Sequence, residues 1–91
     1  MSVHLKLPEE LRPFAQGMRI IEVSGATIGD ALDGLFAMMP QIRCRIVDKN
    51  AELYQHVIVL RNQLLVPREN LRDVEIDPSD DLELFFVASG G

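Results

Sequence analysis

The chain has 91 residues, a net charge of −5 and a hydrophobic content of 47%, enough for one compact domain and too short for a second. The acidic balance argues against nucleic-acid binding, which selects clustered Lys and Arg, because the nine basic residues are scattered along the sequence. No apolar run approaches the roughly 20 residues of a membrane-spanning helix, and the N-terminus lacks the apolar segment of a signal peptide, so we expect a cytoplasmic protein.

The first two predicted elements are strands. Apolar and polar residues alternate from residue 2 to residue 7, the pattern of a strand with one buried face, and Pro8 ends it. Residues 9–17 are too many for a tight turn and form a longer connection. Residues 18–23 are predicted to be the second strand.

A long helix is predicted next. Thr27 is a favourable N-cap, and Asp30 completes an Asp version of the capping box. The apolar residues that follow recur at helical spacing and form one stripe that faces a sheet. This stripe consists of Ile28, Ala31, Leu32, Leu35, Phe36 and Met39. Pro40 marks the end of the helix.

The second half of the chain is richer in strands. Residues 42–47 are predicted to be a short helical or irregular piece, in which Cys44 is a mostly buried and inert thiol. Residues 57–60 form the most strand-like run, and a turn at Asn62-Gln63 leads to a short returning strand. Residues 82–87 form the last strand. The element order predicts a two-layer α+β domain with one main helix across one face of the sheet.

The C-terminus carries the most informative pattern. Residues 1–87 are expected to form the domain, and residues 88–91 a flexible tail that ends in Gly90-Gly91. Glycine has no Cβ, so such a tail can thread a narrow cleft. Its carboxylate is ionised at pH 7 and is a poor electrophile, but adenylation by a partner enzyme would let a sulfur or nitrogen nucleophile attack it. The plain alternative is a frayed chain end without function.

The last strand also suggests a docking surface. Alternation places Leu82, Leu84 and Phe86 on one face, and Glu83, Phe85 and Val87 on the other. Because one face covers the core, the other still carries Phe85 and Val87 beside the tail. Either a loop covers them or they form a patch that docks on a partner.

Charged and metal-binding candidates are weaker. We expect an acidic rim near the tail that steers docking on a basic partner surface. The rim would consist of Asp77, Asp80, Asp81 and Glu83. His4 and His56 have no Ser, Cys or acidic residue placed to complete a triad, and one cysteine cannot build a Cys-rich metal site. We therefore predict no metal site and no catalytic residues.

These features together resemble a known family. The order of elements, the capped helix, the strand and turn at 57–62, and the closing segment 80–86 with Gly90-Gly91 are similar to the ubiquitin-like sulfur carriers of the MoaD/ThiS family. The resemblance covers essentially the whole chain. The segment 11–17 and the start of the middle strand look closest to the CysO-type carriers.

The resemblance implies a fold and a reaction. The fold is a β-grasp with a mixed sheet, in which the last strand lies inside the sheet beside the first. An E1-like, ATP-dependent enzyme of the MoeB/ThiF type adenylates Gly91, and a sulfur donor converts it to a thiocarboxylate that a downstream sulfur-transfer synthase uses. The family's docking surface maps onto Phe85 and Phe86, and its diglycine onto Gly90 and Gly91. The protein would be a carrier rather than an enzyme, with no bound cofactor.

Two alternatives remain open from the sequence. The protein could instead be a ubiquitin-like modifier joined through Gly91 to lysines of target proteins. It could also be a β-grasp interaction subunit without tail chemistry. The sequence does not identify the final sulfur acceptor.

Overall fold

The structure of the protein, a computed structural model, describes residues 2–87. In chain order, the strands and α-helices are β1 (Ser2–Lys6), β2 (Ile20–Ser24), α1 (Ile28–Met38), α2 (Pro40–Ile46), β3 (Val57–Arg61), β4 (Leu64–Val66) and β5 (Asp81–Phe86). Short 3₁₀ helices at Glu9–Ala15 and Arg68–Asn70 lie in the connections. No helix in the described part of the chain is long and apolar enough to cross a membrane.

The five strands form one mixed sheet in the order β2-β1-β5-β3-β4. Strands β1 and β5 are parallel, with Leu5 opposite Leu82. The pairs β1–β2, β3–β5 and β3–β4 are antiparallel. The last described strand therefore lies between the first and the third, which confirms the β-grasp arrangement and the α+β class.

Helix α1 packs its apolar stripe against one face of this sheet. Four residues of the predicted stripe are buried, and the other two are partly buried against the core. The buried ones are Ile28, Ala31, Leu32 and Leu35, and the partly buried ones are Phe36 and Met39. Pro40 does follow the end of α1, and it also opens α2, where a missing N–H costs no helical hydrogen bond.

Helix α2 corrects the expectation for Cys44. The helix buries Ile42 and Ile46, which lie one turn apart on the same side. Cys44, midway between them, therefore projects from the opposite side and is exposed.

The first turn of α1 is closed by side-chain and backbone contacts. The Thr27 Oγ1 accepts a hydrogen bond from the backbone N–H of Asp30 at 3.2 Å, so the predicted cap is confirmed. The N–H groups of Ile28 and Gly29 donate to backbone carbonyls of the 71–74 segment at 3.1 and 2.8 Å. Backbone N–H groups that have no partner within the helix thus attach the 71–74 segment to the start of α1.

Removing the Thr27 hydroxyl should weaken this junction. We expect Thr27→Ala to lower the free energy of unfolding by about 1 kcal/mol, the usual cost of losing an N-cap. Urea denaturation monitored by circular dichroism measures this difference. The control is Thr27→Ser, which keeps the accepting oxygen; equal losses in the two variants would contradict the capping role.

Candidate functional site

Strand β5 positions the segment that leads to the diglycine. Its ladder continues one residue beyond the strand, because the Val87 N–H donates to the His56 carbonyl at 2.8 Å. This hydrogen bond attaches Val87 to the residue that directly precedes β3. Residues 88–91, which include Gly90 and Gly91, lie outside the described residues. Their roles in threading and activation stay predictions.

The two faces of β5 differ as the alternation predicts. Leu82 and Leu84 are buried, whereas Phe85 and Val87 are 46% and 44% exposed on the outer face. Phe86 does not join them, since its side chain packs partly against the core. Of the predicted docking set of Phe85, Phe86 and Val87, only Phe85 and Val87 lie on the outer face, and the docking role of all three stays a prediction.

Neighbouring strands enlarge this outer surface. Ile58 lies directly opposite Phe85 on β3, and Leu60 lies opposite Leu65 on β4. Side chains opposite each other in antiparallel strands share one face. Ile58 and Leu60 are half-buried and Leu65 is 60% exposed. We call Ile58, Leu60, Leu65, Phe85 and Val87 the open-face patch.

The sequence contained a signal for Ile58 and Leu60, which the predicted docking set did not include. The run at 57–60 is apolar at every position instead of alternating. Its inward residues, Val57 and Val59, fill the core. The alternate residues, Ile58 and Leu60, must then face either a second layer or solvent. In this structure they lie on the outer face of the sheet.

The predicted acidic rim is wrong in two respects. Asp80 is only 6% exposed, so it is not a rim residue. Asp77 and Asp81 are exposed, but they lie at or before the start of β5, whereas the tail leaves from its end. Five residue steps along a strand separate Asp81 from Phe86, about 17 Å. Only Glu83 lies midway along the strand.

Asp80 is instead the buried centre of a partly buried hydrogen-bond network. Its Oδ2 accepts from Arg61 Nε and from the Asp77 N–H, both at 2.9 Å, and its Oδ1 accepts from Asn62 Nδ2 at 3.0 Å. Asn62 also exchanges hydrogen bonds with the backbone of Asp81. The network thereby fastens the β3–β4 turn to the start of β5.

The same contacts set the ionisation of this carboxyl. Burial by itself raises the pKa of Asp80, but the hydrogen bonds from Asp77, Asn62 and Arg61 outweigh burial and hold its pKa below the ordinary value. Asp80 is therefore a structural anion at neutral pH. In residues 2–87, no three His, Cys, Asp or Glu side chains lie close enough together to hold a metal ion.

Comparison with known proteins agrees with this geometry. The sequence model of the ThiS family matches residues 5–91. The chain belongs to the ThiS family. This ThiS-family protein is 38% identical over 72 residues to small archaeal modifier protein 1 of Haloferax volcanii, an alignment that covers 78% of each chain.

Two crystal structures resemble this ThiS-family protein over nearly the full length. SAMP1 from Haloferax volcanii is similar with a TM-score of 0.83 and 35% identity, covering 100% of both chains. A chain of the Amycolatopsis orientalis BexX/CysO complex is similar with a TM-score of 0.82 and 25% identity, covering 98% of this chain and 99% of that one. The protein is thus a ubiquitin-like member of a family of small carriers and modifiers.

Proposed function

We propose that this ThiS-family protein is a sulfur carrier. An E1-like enzyme would join the Gly91 carboxylate to AMP from ATP and release pyrophosphate. A sulfur donor would then displace AMP and leave a thiocarboxylate at Gly91. A downstream sulfur-transfer synthase would pass this sulfur to its acceptor. On this proposal the protein itself would need no cofactor and would work in the cytoplasm.

One structural observation carries this proposal. The last two outward-facing residues before the tail, Phe85 and Val87, are apolar and exposed, and the chain continues from Val87 into Gly90-Gly91. An enzyme that binds the open-face patch would therefore hold the domain at the root of the very segment it must activate. Membership of the ThiS family and the likeness to a chain of a BexX/CysO complex support the same conclusion.

Intact-mass spectrometry tests the proposal. The protein is incubated with the E1-like enzyme of its host, ATP and a sulfide source. Exchange of one oxygen for one sulfur, mapped to Gly91, is the expected result. An unchanged mass, with an enzyme shown to be active on another carrier, would contradict it.

The open-face patch should govern recognition by the activating enzyme. We expect Phe85→Ala to raise the KM for this protein in ATP–pyrophosphate exchange about tenfold, because truncating a central aromatic contact costs more than 1 kcal/mol. Met38→Ala is the matched control, since Met38 is also exposed but lies on α1. Equal KM values for the two variants would exclude the patch as the docking surface.

A second candidate function rests on the similarity to small archaeal modifier protein 1. In this case a lysine amine of a target protein, rather than sulfur, displaces AMP and forms an amide with Gly91. Conjugates of higher mass in host extracts, which disappear when Gly90-Gly91 is deleted, would support it. Their absence alongside a detectable thiocarboxylate would favour the carrier.

A further inference from the structure

The turn that precedes β3 lies against the root of the tail. His56 holds Val87 through its backbone carbonyl, and its ring meets the Phe86 ring edge-on, with centroids 5.3 Å apart. The Tyr54 ring stacks on the His56 imidazole, with ring centroids 5.7 Å apart and an interplanar angle of 22°. Both Tyr54 and His56 are exposed. We call this pair the exit platform.

Arg68 fixes the backbone of the platform. Its guanidinium donates to the carbonyls of Leu53 at 2.7 Å, Tyr54 and Val57 at 3.3 Å, and Gln55 at 3.4 Å. Within residues 2–87, Arg68 forms no ion pair. The guanidinium therefore donates its charge-assisted hydrogen bonds to the turn. Several bonds from one planar group restrict the turn more than a single bond would.

The length of the tail brings a partner close to this platform. Gly91 lies four residues beyond Val87, and four extended residues span at most about 14 Å. An enzyme whose active site encloses the Gly91 carboxylate must therefore place the mouth of its tail channel near Val87. Exposed side chains near this point include Phe85 and Val87 of the open-face patch and the rings of Tyr54 and His56.

We propose that Tyr54 and His56 form a second contact for the adenylating enzyme, at the mouth of the channel that receives the tail. This inference rests on the proposed function. The rings offer flat apolar area at a small cost in conformational entropy, and the Tyr54 hydroxyl and the His56 imidazole offer hydrogen bonds. The complementary enzyme surface would combine apolar side chains with hydrogen-bonding groups. Contacts at both the patch and the platform would fix how the tail enters.

Kinetics provide the first test. We expect Tyr54→Ala and His56→Ala each to raise the KM for this protein in ATP–pyrophosphate exchange about tenfold, with kcat nearly unchanged, as for loss of a contact made equally in the ground and transition states. Tyr54→Phe, which keeps the ring, should have a smaller effect. Met38→Ala, on α1, is the control. Alanine variants with the KM of the control would overturn the proposal.

A second test keeps both aromatic rings of the platform. Tyr54 is the only tyrosine in the chain, so protein labelled with 3-fluorotyrosine gives one fluorine resonance from the platform. We expect the chemical shift of this resonance to change when the enzyme is added, in addition to the line broadening that slower tumbling of any complex produces. An unchanged chemical shift at saturating enzyme, in a sample that is adenylated normally, would overturn the platform contact alone. Failure of the unaltered protein to be adenylated would overturn the proposed function, and this inference with it.

Discussion

Gly90→Val is expected to lower kcat/KM for adenylation at least about 100-fold, the scale of effect that misplacing a reacting group produces. Valine adds a branched side chain next to the reacting residue, whereas glycine lets the backbone approach the enzyme closely and adopt angles closed to other residues. The channel would have to widen or the carboxylate would stop short of ATP. Pyrophosphate exchange with the E1-like enzyme measures the loss.

The fold should be unaffected by this change, because the residues of the hydrophobic core lie between Val3 and Phe86. An unchanged thermal unfolding midpoint would establish this. Ala88→Val places the same side chain two residues earlier and is expected to retain most activity. Normal adenylation of a correctly folded Gly90→Val protein would show that Gly90 has no threading role.

Asp80→Ala is expected to lower the free energy of unfolding by about 2 kcal/mol, the scale of losing hydrogen bonds to a buried charged acceptor whose ion-pair partner, Arg61, stays partly solvated. The substitution takes away the acceptor shared by Arg61, Asn62 and the Asp77 N–H. It leaves these donors beside a small cavity at the junction of the β3–β4 turn with β5. Urea denaturation at pH 7 measures the loss, and Asp81→Ala, at an exposed neighbour, is the control.

The same network predicts how stability depends on pH. The pKa of Asp80 is lower in the folded protein than its ordinary value. Its contribution is therefore fully present above the unfolded pKa of about 3.9 and is lost as pH falls through the folded pKa. We expect Asp80→Asn to lose less stability than the unaltered protein between pH 5 and acid conditions, roughly pH 2. Parallel pH profiles would exclude Asp80 as the source of this dependence.

The local patterns predicted the fold well because each depends on neighbouring residues in the sequence. Alternation along β5 and helical spacing in α1 identify the buried faces directly. The error at Asp80 has a different origin. An aspartate in a polar stretch is expected at the surface. Only tertiary folding brings Arg61, at the end of β3, and Asn62, in the β3–β4 turn, to the carboxylate of Asp80.

The candidate site was predicted only in part, because some of its residues come together only through strand pairing and tertiary contacts. The diglycine and the outward positions of Phe85 and Val87 follow from the order of residues alone. The contributions of Ile58 and Leu65 depend on strand register, which pairs β5 with β3 and β3 with β4. The stacking of Tyr54 on His56 beside Phe86 joins segments about thirty residues apart, and no local periodicity reports it.

The central position of β5 also has a consequence for synthesis on the ribosome. β1 is made first, yet one of its two neighbours in the sheet is β5, which emerges only after β2, both α-helices, β3 and β4. Phe85 meets Ile58 only once β5 has inserted between β1 and β3. An unfinished or misfolded chain therefore does not display the complete open-face patch, and an activating enzyme that recognises this patch would select finished, folded molecules.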